Sequence, residues 1–328
     1  MKHNQVTINE VAKKAKVSPA TVSRFLNNPL SVKEKNRKKI EETIKELNYK
    51  PSLYARRLAG GKSDIYGLII PGYEGLFHSY YALEIIRGVG FVLERLNIDL
   101  YLHIWWQKDT FNSSLVDGVI FADIIGNEAQ LERIKKEGIP LVVLNKKVED
   151  VSYVAIDNFL GGYKATEFLI KHGHRRIAHI SGDLKVECAQ ERLEGYKLAL
   201  KKYDLKIKKE YIKIANFSPL QAQKASEELI SLKEPPTAIF VASDEMAVEV
   251  LFFLQRKGIN IPQEISIIGY DDNPLCNYSI IPLTTVKQPI NKMASLGVRV
   301  LKNLVGGRKG EKIVLSPHLV IRESVSFV

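Results

Sequence analysis

Along the first fifty residues apolar positions recur at three- and four-residue intervals in three bursts, whereas from residue 64 onward short continuous apolar runs alternate with longer amphipathic stretches. The first pattern predicts helices and the second predicts buried strands separated by helices. Thr7-Ile8-Asn9-Glu10 reads as a capping box, followed by Ile8, Val11, Ala12 and Ala15 at helical spacing, so a first helix starts near residue 8. After the break Ala15-Lys16-Val17, Ser18 suits an N-cap and Pro19 the first helical position, giving a second helix over 19–26. Ser31-Val32-Lys33-Glu34 reads as a second capping box, and Ile40, Ile44 and Leu47 form the stripe of a third, longest helix ended by Tyr49-Lys50-Pro51.

Two short helices joined by a tight turn and supported by a third describe a helix-turn-helix, whose second helix can lie in the DNA major groove. The face of that helix carries Ala20, Thr21, Ser23, Arg24 and Asn27, small or hydrogen-bonding residues that suit base edges, while Val22 and Leu26 point to the core.

The later pattern runs IYGLII, a helix over 80–96, DLYLHIW, DGVIFA, a helix over 127–137 and PLVVLN. It continues through helices over 161–172, 189–202, 219–232 and 244–257, interleaved with RIAHISG, YIKIA, AIFVA and ISIIGYDD. Such alternation over some 260 residues predicts parallel sheets with helices on both faces, divided between two α/β lobes. The expected domains are a helix-turn-helix at 1–50, a hinge helix or linker at 51–62, and an effector-binding domain at 63–328. Its lobes span approximately 63–156 plus 288–316 and 157–287 plus 317–328.

Charge sharpens this division. The formal net charge of the chain is +11, and residues 1–62, with eleven Lys, four Arg and five Glu, carry +10 of it. A basic module of this kind is the footprint of a polyanion, nucleic acid before an anionic membrane surface. No apolar run approaches the ~20 residues that span a bilayer, the first residues lack the apolar core of a signal peptide, and two cysteines, Cys188 and Cys276, cannot build a disulfide framework. The expected compartment is the cytoplasm.

At VTINEVAKKAKVSPATVSRFLNN, and then at LNYKPSLYARRLAGGKS, the chain resembles the DNA-binding headpiece and hinge of the lactose/galactose repressor family of bacterial regulators. The resemblance extends over almost the whole chain, through VDGVIF, GIPLVVLN, VASDEMAVEV, ISIIGYDDNPL and PLTTVKQP. It implies that Pro19, Ala20 and Arg24 read bases, and that Thr7, Thr21, Ser23, Asn27 and Ser31 contact phosphates or bases. Ser18 and Ser52 join the implied DNA-contacting set. Leu58 falls where the family wedges an apolar side chain into a minor-groove base step, with Ala55 its close-packed neighbour. Lys16 stands where the family usually has Gly, and a positive φ there would cost about 1 kcal/mol.

For the remainder, the resemblance implies the fold of periplasmic sugar-binding proteins, with the effector between the lobes. Asn145, Ser243 and Asp271 each follow a strand, where doubly wound sheets bind ligands. Arg192, Phe217 and Gln288 match effector-contacting positions, and Phe77 lies in a loop longer and more aromatic than the family's. Only QKDTFNSSL remains between Trp106 and Val116, where the family usually has a helix.

Enzyme signals fail on inspection. Gly61-Lys62-Ser63 lacks the first glycine of a phosphate-binding loop and precedes a strand. His172, His174 and His179 have no cysteine or carboxylate partner at metal spacing, and Asp271 and Asp272, adjacent on a strand end, project apart. The expected protein is therefore not an enzyme and needs no metal or cofactor. It is a transcriptional regulator, expected to be a repressor, working as a homodimer or higher homo-oligomer on double-stranded operator DNA under control of a sugar or sugar derivative. The alternatives are a receptor-like solute sensor without a transcriptional role and a regulator responding to a nucleobase.

Overall fold

The computed structural model describes residues 6–49 and 63–328, and the chain divides into two compact units, residues 1–66 with 112–117 and residues 67–111 with 118–328. The first unit contains α1 (Ile8–Ala15), α2 (Pro19–Asn27) and α3 (Glu34–Glu46). Both halves of the first capping box are present: the Glu10 amide donates to the Thr7 hydroxyl, and the Thr7 amide donates to the Glu10 carboxylate at 2.6 Å. α1 ends at Lys16, which has φ 56° and ψ 46°, so lysine occupies the left-handed position that favours glycine. Ser18 caps α2 by accepting from the Thr21 amide at 3.2 Å. Val11, Ala12, Ala15, Val22, Val32 and Ile40 close the core, with Leu26, Ile44 and Leu47 packed against it.

The second capping box does not form. Asn28 and Pro29 open a single 3-10 turn, Pro29–Ser31, in which the Asn28 side chain accepts from the Leu30 amide, and the Ser31 hydroxyl donates back to the Asn28 carbonyl at 2.7 Å. α3 then starts at Glu34 behind Lys33, which makes no side-chain cap. A local turn that satisfied its own donors displaced the helix start by outcompeting the Ser31 cap.

The second unit carries α4 (Tyr80–Leu96), α5 (Glu128–Lys136), α6 (Asn158–Lys171), α7 (Glu187–Lys202), α8 (Pro219–Ile230), α9 (Asp244–Arg256), the short α10 (Leu275–Tyr278) and α11 (Ile290–Val305). Its strands, with the first residues of β1 shared with the other unit, are β1 (Ile65–Pro71), β2 (Asp99–Trp105), β3 (Gly118–Phe121), β4 (Leu141–Leu144), β5 (Ser152–Ile156) and β6 (Ile177–Ser181), then β7 (Ile212–Ile214), β8 (Ala238–Val241), β9 (Ser266–Asp271), β10 (Thr284–Lys287), β11 (Lys312–Leu315) and β12 (His318–Val320). They form two six-stranded sheets ordered β11-β5-β4-β3-β1-β2 and β12-β10-β9-β8-β6-β7. The expected parallel pattern is broken at β12, which runs antiparallel to β10, pairing Val320 with Thr285, where the chain passes through Pro317 directly from one sheet to the other. Between β2 and β3 the short connection contains a single 3-10 turn, Ser113–Leu115.

In both sheets the chain places two strands to one side and then reverses, so a topological switch point lies between β1 and β3 in one and between β6 and β8 in the other. Ligand crevices form at the carboxyl ends of strands at such points.

Candidate functional site

The exposed face of α2 presents Pro19, Ala20 and Arg24 to solvent, with Thr21 and Ser23 half-buried beside them. Arg24 forms no ion pair among the described residues. The hydroxyls of Thr7, Ser18 and Ser31 are exposed but also serve helix and turn ends, so any DNA contact they make is shared with a backbone role. The Asn27 side chain and all of Ser52, Ala55 and Leu58 lie outside the described residues.

The cleft is assembled from strand ends. Asn145 follows β4 with φ 62°, and its amide nitrogen points to Asp123 Oδ2 at 3.4 Å while its buried Oδ1 has no partner among the described residues. Asp271 ends β9 with φ 131° and accepts from Gln288 Nε2 at 2.5 Å; Gln288 Oε1 is buried and unpartnered among the described residues. Phe217 also has a left-handed backbone, φ 56°, and its ring fills the space above Gly182 that a Cβ would occupy. Three of the seven expected effector residues thus hold strained conformations, which persist only where surrounding structure fixes them and which cluster at ligand sites.

Arg192 is fixed by the way α6 and α7 meet. A Cβ on Gly162 would lie 2.2 Å from the Arg192 carbonyl oxygen, and one on Gly195 would lie 2.1 Å from the Phe159 carbonyl oxygen, so only glycine allows this backbone-to-backbone approach. Thus placed, Arg192 Nε donates to Asn158 Oδ1 at 3.0 Å and a terminal nitrogen donates to the Ala242 carbonyl at 2.6 Å, beside the switch point after β8. Its guanidinium lies 3.8 Å from the Tyr270 ring centroid. Ser243 is buried and caps α9 by accepting from the Met246 amide at 3.4 Å. Asn145, Asp271 and Gln288 are therefore buried polar residues at strand ends, with buried Arg192 reaching the end of β8 from α7, whereas Phe77 is 59% exposed on a one-turn 3-10 helix and does not join them.

Sequence reasoning missed Asp123, Tyr81, Asp244 and Asn158. Asp123 lies two residues beyond β3, at the first switch point, and burial pushes its carboxyl up to about 6 against weaker opposing hydrogen bonds from Ile124 and Asn145. Burial likewise raises Asp271 and Asp244, although Arg192 opposes it at Asp271 and bonds from Thr285 and Asn273 oppose it at Asp244. Tyr81 donates to the Ala122 carbonyl at 3.2 Å. Polar contacts bridge the lobes on both walls: Tyr80 N–H to Glu245 at 3.3 Å and Tyr80 O–H to the Asp272 carbonyl at 3.4 Å, and Lys147 to Glu191 at 3.2 Å.

The three histidines go separate ways. His172 contacts the Phe168 carbonyl, His174 the Thr237 hydroxyl and His179 the Phe240 carbonyl, and burial lowers His179 to about 3. Among the described residues no group of three or more His, Cys, Asp or Glu could hold a metal ion, and no helix is long and apolar enough to cross a membrane. A shallow cavity at the opposite, amino-terminal ends of β4 and β5, lined by Pro140, Asp150 and Leu304 among others, contains none of the expected site residues.

Residues 166–325 match the periplasmic binding protein-like domain, and residues 7–52 match the bacterial regulatory proteins of the lacI family. The chain is 35% identical to the probable HTH-type transcriptional repressor ExuR of Bacillus subtilis (strain 168), over 98% of each chain. A solved complex of the transcriptional regulator CelR with cellobiose is similar with a TM-score of 0.75 at 29% identity, covering 97% of this chain and 99% of that one. The lac repressor dimer bound to operator and the anti-inducer ONPF shares the fold, with a TM-score of 0.86 at 24% identity over 98% of this chain and 100% of that one. With both its DNA-binding headpiece and its two-lobed α/β domain matched, the chain belongs to the lacI family of bacterial transcriptional regulators.

Proposed function

We propose that the protein is a cytoplasmic repressor that binds a near-palindromic operator as a homodimer and changes its operator affinity when a sugar or sugar derivative enters the cleft between its lobes. The observation that carries the effector reading is the buried group Arg192, Asp271 and Gln288. A guanidinium and a carboxylate withheld from water, beside a carbonyl oxygen with no partner among the described residues, gain most from a ligand rich in both donors and acceptors. A hydroxylated ring meets that description, and Phe217 offers it an apolar face. The complex of CelR with cellobiose supports a saccharide.

In this reading residues 1–50 bind DNA, 51–62 form the hinge and 63–328 sense the effector, with the lobes divided at about 156, 287 and 316. Arg24, Ala20 and Pro19 read bases, Thr7, Ser18, Thr21, Ser23, Asn27, Ser31 and Ser52 contact the DNA, and Leu58 with Ala55 enters the minor groove. Asn145 and Ser243 complete the effector contacts, with Phe77 at the margin. The cleft binds its ligand without turning it over.

Dimer formation has its own support. α8 and α9 pack on the second sheet and α10 packs on α9, and these helices and the turn that follows leave Leu220, Phe252, Leu275, Tyr278 and Ile280 exposed, apolar side chains suited to contact with a second copy. The test is operator binding by fluorescence anisotropy with and without a panel of neutral sugars. One of them should shift operator affinity at least tenfold, about 1.4 kcal/mol of coupling; a panel that leaves the affinity unchanged while a nucleobase shifts it would overturn the sugar reading.

A further inference from the structure

We propose that Asp123 faces the effector from the lobe opposite Asp271 and that the two carboxyls together restrict the effector to uncharged, hydroxyl-rich sugars, excluding sugar acids and sugar phosphates. The inference rests on the reading of the cleft as a sugar site and adds the charge that the sugar carries.

Position comes first. Asp123 lies at the switch point of one sheet, while Arg192 reaches the switch point of the other through the Ala242 carbonyl. Lys146, whose ammonium donates to the carbonyl of Ile124 next to Asp123, lies 4.0 Å from Glu187, and Lys147 lies 3.2 Å from Glu191, so the strand ends that carry Asp123 and Asn145 stand against α7, the helix that carries Arg192. Asp123 is 8% exposed, forms no ion pair among the described residues, and uses one oxygen on the Ile124 amide at 2.7 Å. Its other oxygen has only the long contact to Asn145, whose own carbonyl oxygen is unpartnered among the described residues. Two neighbouring groups thus retain acceptor capacity at the same place.

Charge then selects the ligand. The lysines nearest this wall are engaged: Lys146 donates to the Ile124 carbonyl at 3.1 Å and lies 4.0 Å from Glu187, and Lys147 pairs with Glu191. Asp244 is occupied by the Asn273 amide and the Thr285 hydroxyl. Among the described residues Arg192 is left as the buried cation against buried Asp123, Asp244 and Asp271. A sugar hydroxyl donates to Asp123 or Asp271 and favours their charged forms, whereas a carboxylate or phosphate brings a further negative charge beside acceptors that cannot donate to it unless they bind a proton.

Calorimetry on the full chain at pH 7.5 would use matched probes: glucose, glucuronate and glucose 6-phosphate; galactose and galacturonate; cellobiose and cellobionate. For the ring that binds, the neutral member should bind at least about tenfold more tightly than its acid or phosphate, and Asp123→Asn should narrow that ratio at least about fivefold by restoring the acid. Asp123→Ser provides the same comparison if the first variant does not fold. An acid or phosphate binding as tightly as its neutral partner, or a folded variant with an unchanged ratio, overturns the proposal while leaving the sugar reading intact. If no probe of either charge binds and a nucleobase does, the sugar reading fails and the proposal falls with it.

Discussion

On the exposed face of α2 Arg24 stands in solvent and the hydroxyls of Ser18 and Thr21 meet each other at 2.8 Å, while the exposed hydroxyls of Thr7 and Ser18 serve the backbone as caps. In the cleft the corresponding groups are buried: Asp123 and Asp271 are carboxyls raised by burial, and Asn145 and Gln288 hold oxygens without partners among the described residues. An exposed recognition surface adds little to the cost of folding, whereas a buried one is maintained against it. Substitutions on α2 should therefore change recognition with little change in stability, and substitutions in the cleft should change both.

The largest effect is expected from Arg192→Ala. Removing the guanidinium leaves the Asn158 side chain and the Ala242 carbonyl without their donor and takes away the positive charge that opposes the upward push of burial on Asp271. Breaking such a buried group costs about 3 to 5 kcal/mol. Chemical denaturation should show a loss of that order, and the effector should no longer alter operator affinity. A variant of full stability that still responds would erase the contrast between cleft and headpiece.

Asp123→Asn should act with the opposite sign on stability. The carboxyl rises from 3.8 to about 6 on folding, so the folded state binds its proton more tightly than the unfolded state. Its contribution is fully present below about pH 4 and is lost as pH rises through 6, a difference of about 3 kcal/mol at most. The neutral amide escapes that loss, and rotation of the Asn145 amide could offer its unpartnered oxygen to the new donor. The variant should unfold later than wild type at pH 7.5 by about 2 kcal/mol, with the advantage vanishing toward pH 4. By the same linkage, a hydroxyl-donating effector should bind wild type less tightly as pH falls through 6. Equal stability of the two proteins at both pH values would mean that Asp123 carries no folding cost.

The two regions also differ in what the sequence discloses. The caps at Thr7 and Ser18 are readable because donor and acceptor lie within three residues of each other. The same locality misleads at Ser31, where the nearby Asn28-Pro29 turn takes the hydroxyl. In the cleft, strand ends expose Asn145, Ser243 and Asp271, and the same rule applied to GVIFAD reaches Asp123. Its importance depends on the order of β1 and β3, which no local pattern contains. The seating of Arg192 depends on Gly162 and Gly195 meeting across two helices 33 positions apart in the chain. β12 is three residues long, and its antiparallel pairing with β10 is a tertiary fact.

On α2, Arg24→Ala should separate recognition from stability. Arg24 is exposed and forms no ion pair among the described residues, so its loss should change unfolding by less than about 0.5 kcal/mol. If it reads a base, the preference for operator over random DNA should fall by about 1 to 3 kcal/mol at one position in each half-site. Equal losses on operator and random DNA, measured at one salt concentration, would assign Arg24 to phosphate instead.

The smallest expected effect, at Lys16, tests whether the turn between α1 and α2 follows the same rule. Its φ of 56° costs a non-glycine residue about 1 kcal/mol, and the Val17 amide donates to the Ala12 carbonyl at 3.0 Å in the closing turn whichever residue stands at 16. Lys16→Gly relieves that strain but gives the unfolded chain more freedom, so the net gain should be about 0.5 kcal/mol. The side chain is exposed beside the recognition helix, and its charge is available to a phosphate. The variant should therefore be slightly more stable yet bind operator and random DNA more weakly by the same factor. The slope of log affinity against log salt should become shallower by about 0.9 per lysine lost. A selective loss on operator would make Lys16 a reader of sequence, and a fall in stability would mean that its side chain supports the turn it strains.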